Sequence, residues 1–106
     1  MKKRKELDSI GSINVPVDKY WGASTERSKK YFDIGEVLVR PSLIKSIAIV
    51  KKSAALVHKK NKQISSKIAN AIIKASQEII SGKLDSHFPL KVWQTGSGTQ
   101  TNMNVN

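Results

Sequence analysis

Gln94 to Asn106 is the stretch of this sequence whose residue types could do chemistry. Gln94, Thr95, Ser97, Thr99 and Gln100 supply uncharged hydrogen-bonding side chains, and Gly96 and Gly98 lie between them. Thr101, Asn102, Asn104 and Asn106 extend the run. Glycines let a backbone bend until successive N–H groups converge, and hydroxyls add donors that rotate to suit. Thr99 to Asn106 contains neither proline nor glycine, so a helix can begin there and aim the positive end of its dipole at the loop. Converging N–H groups beside a helix N-terminus suit an anion such as a carboxylate or phosphate. Ser/Thr/Asn/Gly clusters are also ordinary loop composition, so the bland surface-loop reading stays open on pattern alone. The stretch is not a P-loop, because no lysine follows the glycines.

Other chemistries are thinly supplied. There is no cysteine, hence no disulfide framework, thiolate metal site or cysteine nucleophile. The two histidines, His58 and His87, are too far apart to read as a ligand pair, and no metal site is expected. His58 sits among lysines at a helix end and His87 precedes an apolar anchor, so each is read as solvated or capping.

The elements that must hold the loop are legible upstream. Lys5 to Val15 reads as a short hairpin: Asp8, Ser9 and Gly11 are turn formers, Ile13 and Val15 alternate with polar neighbours, and Pro16 closes the second strand. Tyr20 and Trp21 read as an aromatic anchor, and Thr25 as the N-cap of a short helix reaching about Phe32. Pro41 suits the first turn of a long helix whose apolar stripe is Leu43, Ile47, Val50, Ala54 and Val57, with Lys45, Lys52 and Lys59 opposite. Ile49 and Leu56 fall between those lysines and point to a second packing surface. After a polar connection, Ser65 or Ser66 caps another helix, with Ile68, Ile72, Ala75 and Ile79 on one face and Gly82 as its left-handed terminator. Phe88 to Trp93 then forms an apolar anchor in front of the loop.

With 106 residues, 39% hydrophobic and 25% charged, the chain is one domain's worth of globular polypeptide. Nineteen basic against eight acidic residues give a net charge of +11, which raises a nucleic-acid reading. Between Val37 and Gln77 there is no acid, yet no aromatic interleaves the lysines, and only Arg4, Arg27 and Arg40 offer a guanidinium fork. A solvated lysine-rich surface is therefore preferred and no nucleic-acid partner is expected. No apolar run approaches a membrane span, and MKKRKELDSIG lacks the apolar core of a secretory signal, so a cytoplasmic location is the expectation.

FPLKVWQTGSGTQTNMNVN closely resembles the first signature region of class II fumarases, in the fumarase/aspartase superfamily. ELDSIGSINVPVDKYWGASTERS resembles that family's N-terminal segment, and VKKSAALVHKK and SGKLDSHFPL resemble its intervening helices. Ser97 and Gln100 distinguish QTGSGTQ from the QGGAGTS-like loop typical of aspartases. The resemblance implies a mainly α chain: an N-terminal lyase domain over residues 1–106, with a helical hairpin, a small N-terminal β-element and an extended C-terminal loop. It implies reversible hydration of fumarate to (S)-malate in the citric acid cycle, with no metal or organic cofactor. Ser97, Gly98 and Thr99 would bind one carboxylate of the small dicarboxylate. The family's subunit is several times longer and assembles as a homotetramer, and its central helical-bundle and C-terminal domains have no counterpart here. Its catalytic residues also lie downstream, so none is expected within this chain. The expectation is an N-terminal part of a longer lyase, inactive by itself. The alternatives are an aspartate ammonia-lyase of the same superfamily, a non-catalytic basic binding protein, or a chain with no function of its own.

Overall fold

The computed structural model describes residues 2–106 and divides into two compact units. The first comprises the chain up to Val39 together with Ser86–Asn106, and the second is Arg40–Asp85.

The first unit is organised around a hairpin of β1 (Lys3–Asp8) and β2 (Gly11–Pro16), antiparallel with Glu6 opposite Ile13 and Asp8 opposite Gly11. It is slightly longer than the sequence pattern indicates, with Pro16 as its last residue. Asp8 builds the turn: its Oδ1 accepts the N–H groups of Ile10 (3.0 Å) and Gly11 (3.2 Å). Period-2 alternation leaves Val15 fully buried. Arg4, which composition alone files with the solvated bases, is instead a strut. Its guanidinium donates to the carbonyls of Pro16 (2.7 Å), Lys19 (2.7 Å) and Trp21 (2.6 Å), and its Nε to Glu6 (2.7 Å).

Helix α1 spans Ala23–Tyr31. Its N-cap is Gly22, not Thr25, which lies within the helix and is 2% exposed. The physical reason is the anchor just before it. Trp21 is buried and its indole N–H donates to Glu26 at 2.7 Å, which fixes where the first turn begins. Tyr20 is not part of that anchor; it is largely exposed and stacks on the His87 ring at 4.6 Å between centroids. Arg27 of α1 grips Asp8 bidentately at 2.9 Å and also donates to the Gly11 carbonyl (2.8 Å), tying helix to hairpin. Farther on, Leu38 and Lys91 form an isolated antiparallel bridge, with Val39 N–H on Leu90 O (3.0 Å) and Val92 N–H on Val37 O (2.9 Å). Leu90 is the buried member of the Phe88–Trp93 segment, whereas Val92 and Trp93 stay exposed.

The second unit is a helical hairpin of α2 (Pro41–Lys60) and α3 (Ser66–Ile80). Pro41 opens α2, Ser65 caps α3 by accepting the Ile68 N–H (3.2 Å), and Gly82 follows α3 at φ +87°. The short link turns at Lys62, a non-glycine residue at φ +56°. The helices pack against each other, and the residues they bury are mostly small: Ala48, Ala55, Ala69 and Ser76, with Ile44 and Ile79. Of the aliphatic stripes expected from the periodicity, Ile79 is buried and Ile47 half-buried, but Leu43, Val50, Val57 and Ile68 are each at least half exposed. Alanines allow close helix approach; at about 100° per residue Val50 and Val57 lie roughly 160° from Ala48 and Ala55, on the far face of α2, whereas Ile68 and Ile72 lie within about 100° of the Ala69–Ser76 line on α3. Ile49 and Leu56, also about half exposed, have no covering element among the described residues.

Candidate functional site

The Gln94–Asn106 stretch ends in helix α4 (Thr99–Val105), whose N-cap Gly98 is left-handed at φ +78°. A side chain would be strained there, so glycine is what permits the loop to turn directly into the helix.

The structure separates the polar residues of this stretch into two groups. One is turned inward and builds the frame. Thr101, buried, donates to Gln94 Oε1 at 2.8 Å, and Gln94 Nε2 donates to the Lys91 carbonyl at 2.8 Å. Asn104, also buried, donates to the His87 carbonyl at 3.0 Å. Gln100 braces the loop: its Oε1 accepts the Thr95 N–H (2.8 Å) and Thr95 hydroxyl (3.1 Å), while its Nε2 donates to Ser28 Oγ on α1 (3.1 Å). The second group faces solvent. Ser97, Gly98 and Thr99 are all exposed. Ser97 Oγ donates to Thr99 Oγ1 at 3.2 Å, accepts the Thr99 N–H at 3.4 Å, and lies 3.4 Å from Thr95 Oγ1. The three candidate residues thus come together as one hydroxyl-bearing edge. The resemblance singles out Ser97, Gly98 and Thr99, whereas composition alone does not separate the two groups; spacing along α4 does, because Thr101 and Asn104 share a helical face three residues apart.

Electrostatically this edge is neutral, for no side chain from Gln94 to Asn106 titrates. Ionisable groups stand behind it. A cleft of about 130 Å³ is lined by Ser28, Phe32, Asp33, Leu90, Lys91 and Gln100, among others, but not by Ser97, Gly98 or Thr99. There Lys91 pairs with Asp33 and holds its carboxyl below the usual carboxylate range. His87 supports the anchor: Nδ1 accepts the Tyr20 N–H at 3.1 Å, and partial burial, with Lys19 nearby, lowers its pKa against a smaller opposing effect of Asp18. Arg27 draws the Asp8 carboxyl down in the same way. No group of three or more His, Cys, Asp or Glu side chains capable of holding a metal occurs among the described residues, and no helix there is long and apolar enough to cross a membrane.

Residues 11–106 match the profile of a family described as Lyase. Over 106 residues the chain is 53% identical to the class II fumarate hydratase of Bacillus cereus, covering all of this chain and 23% of that protein. It is 52% identical to the class II fumarate hydratase of Campylobacter jejuni over 106 residues, again covering 23% of it. The chain therefore spans just under a quarter of the length of the relatives it matches. Among solved structures, the class II fumarase of Schistosoma mansoni superposes with a TM-score of 0.95 at 45% identity, over 98% of this chain and 22% of that one. A fumarate lyase:delta crystallin from Brucella melitensis superposes with a TM-score of 0.93 at 37% identity, over 98% and 25%.

Proposed function

Because the chain belongs to the lyase family, we propose that it is the carboxylate-binding N-terminal part of a class II fumarate hydratase, which interconverts fumarate and (S)-malate. The observation that carries this reading is the exposed edge of Ser97, Gly98 and Thr99, with the two hydroxyls 3.2 Å apart on a loop braced by Gln94, Gln100, Thr101 and Asn104. Addition or removal of water across the double bond passes through a species with negative charge spread onto carboxylate oxygens. Fixed donors aimed at those oxygens stabilise it, and they do so best when the surrounding structure holds them in place beforehand. Thr99 N–H and the two hydroxyls are of that kind, and Gln100 and Gln94 are what hold them.

The edge cannot do the rest. With nothing that titrates between Gln94 and Asn106, it has no base to take the proton and no acid to return it. Proton transfer belongs to the other three-quarters of such an enzyme, and the isolated chain is expected to be inactive. The wider setting that goes with this reading is a cytoplasmic, homotetrameric enzyme of the citric acid cycle acting on a small dicarboxylate without a cofactor.

The test is a chimera in which these 106 residues replace the matched quarter of the Bacillus cereus enzyme. It should hydrate fumarate and leave aspartate unchanged. Thr99→Ala in that chimera should lower kcat/KM by about 100-fold, the scale for losing one oxyanion donor. Near-normal kinetics in the variant removes the assigned role, and turnover of aspartate instead of malate moves the chain to the ammonia-lyase branch.

A further inference from the structure

Helix α1 starts without a side-chain cap. A serine, threonine or aspartate at that place would accept one of the first free N–H groups, but the N-cap is Gly22. Glycine is not demanded there. At φ −102° the backbone suits any residue, and an added Cβ would meet nothing within 4 Å. The first N–H of α1 to find an acceptor is that of Glu26, on the Gly22 carbonyl at 3.2 Å. The N–H groups of Ala23, Ser24 and Thr25 have none among the described residues.

These amides open on a cleft of about 310 Å³, where two buried polar side chains each leave an atom unused. Thr25 is 2% exposed, and its hydroxyl makes no hydrogen bond among the described residues. Every side-chain oxygen and nitrogen sealed from solvent there has a partner. The Thr25 hydroxyl is therefore not sealed, and the sliver of surface the residue keeps lies on the cleft. Asn104, 7% exposed, donates Nδ2 to the His87 carbonyl at 3.0 Å and leaves Oδ1 without a donor in the same way. Leu7, Trp21 and Met103 supply apolar wall. Asp8 is the one carboxylate on the lining, and it is already engaged by Arg27 at 2.9 Å and by the Ile10 and Gly11 amides. The cleft shares no lining residue with the edge of Ser97, Gly98 and Thr99.

We propose that this cleft is a binding site for a small hydroxylated carboxylic acid with an apolar body. The carboxylate sits on the Ala23, Ser24 and Thr25 amides, where the positive end of α1 favours an anion, and takes the Thr25 hydroxyl as a further donor. The ligand's own hydroxyl donates to Asn104 Oδ1, and its body lies against Trp21 and Met103. A net charge of +11 favours an acid over a neutral ligand from a distance. The volume falls at the low end of the roughly 300–1,000 Å³ of small-molecule pockets, which suits a ligand of single-ring size. The site goes beyond the fumarate reading and does not rest on it.

The probe is para-hydroxybenzoate, titrated into the isotope-labelled chain and followed by NMR. The Ala23, Ser24 and Thr25 amides and the Asn104 side-chain amide should shift together along one saturable curve. Benzoate, which lacks the hydroxyl, should bind about fivefold more weakly, the worth of one hydrogen bond. Para-hydroxybenzamide, which lacks the charge, should bind at least about tenfold more weakly. Gly22→Ser supplies the missing cap and should leave the chain folded while weakening the acid about fivefold, because its hydroxyl occupies an amide the ligand needs. Thr25→Val, which removes only the hydroxyl, should weaken it by a similar factor. Absence of a saturable shift, shifts confined to Ser97, Gly98 and Thr99, or unchanged affinity in either variant overturns the proposal. Should the chain not fold alone, hydrogen exchange with mass detection reads the same site in the Bacillus cereus chimera. Residues 20–27 should exchange more slowly with para-hydroxybenzoate than with para-hydroxybenzamide, and equal rates overturn the proposal there. Fumarate hydration enters neither readout, so this site and the fumarase reading stand or fall separately.

Discussion

Replacing Gln100 with leucine removes one side chain of similar size and three polar contacts: Thr95 N–H at 2.8 Å, Thr95 hydroxyl at 3.1 Å and Ser28 hydroxyl at 3.1 Å. A neutral hydrogen bond contributes about 1 kcal/mol net. Thr95 is exposed, so its hydroxyl finds water when Gln100 is gone, and that contact drops out. The backbone bond and the tie to α1 remain to be lost, about 2 kcal/mol together, which at 1.4 kcal/mol per decade is roughly 30-fold in the local opening equilibrium. The Thr95 amide should therefore exchange with deuterium about 30-fold faster in Gln100→Leu, measured residue by residue by NMR, while amides in α2 keep their rates. Gln100→Glu retains an acceptor for the Thr95 N–H and should preserve most of the protection. If Thr95 exchanges at the wild-type rate in a folded leucine variant, Gln100 is not the brace. If every amide in the chain speeds up equally, the effect is global instability, and the local argument fails as well.

Arg4→Met leaves the Pro16, Lys19 and Trp21 carbonyls without their shared donor. Because the guanidinium is partly exposed and water can replace it, the expected loss is roughly 2 kcal/mol, seen as a lower urea midpoint at unchanged slope; a shift within ~0.5 kcal/mol, the scatter of ordinary surface substitutions, refutes the strut. Asp8, held below its usual value of 3.8 by Arg27, binds fewer protons folded than unfolded. Its contribution is complete above that value and is lost as pH falls through the lower folded pKa; Asp8→Asn should flatten this acid limb, and an unchanged limb counts against it. His87, lowered from 6.5, makes the fold less stable as pH drops below that value, until its folded pKa is passed. An NMR titration of His87 with a midpoint at or above 6.5 contradicts the packing drawn for it.

Much of the local structure could be read in advance because it depends on single residues with narrow preferences. Asp8 and Gly11 dictate a turn, Pro41 a helix start, Ser65 or Ser66 a cap and Gly82 a stop; each is found in that role, with Ser65 the capping serine. The edge formed by Ser97, Gly98 and Thr99 was also legible as a candidate. What could not be read was which side of an amphipathic helix meets its neighbour. Large aliphatics dominate any periodicity count, yet α2 and α3 meet through alanine, whose small side chain contributes little to the pattern and much to close approach. The cap of α1 was misplaced for a similar reason: Thr25 has the better side chain, but Trp21 sets the register from outside the helix. Arg4 was hidden by its neighbours, since one base among four says nothing about which of them reaches a carbonyl.

The Thr95, Ser97 and Thr99 hydroxyls engage one another. Each of these three hydroxyls therefore has a neighbouring hydroxyl as partner. An arriving anion would need only to spin hydroxyl rotors about their C–O bonds, trading weak neutral partners for charge-assisted ones without moving the backbone. On the proposed reading, selectivity for charge over bulk would come from the exchange itself: an uncharged molecule of the same shape would offer these oxygens nothing better than what they already have.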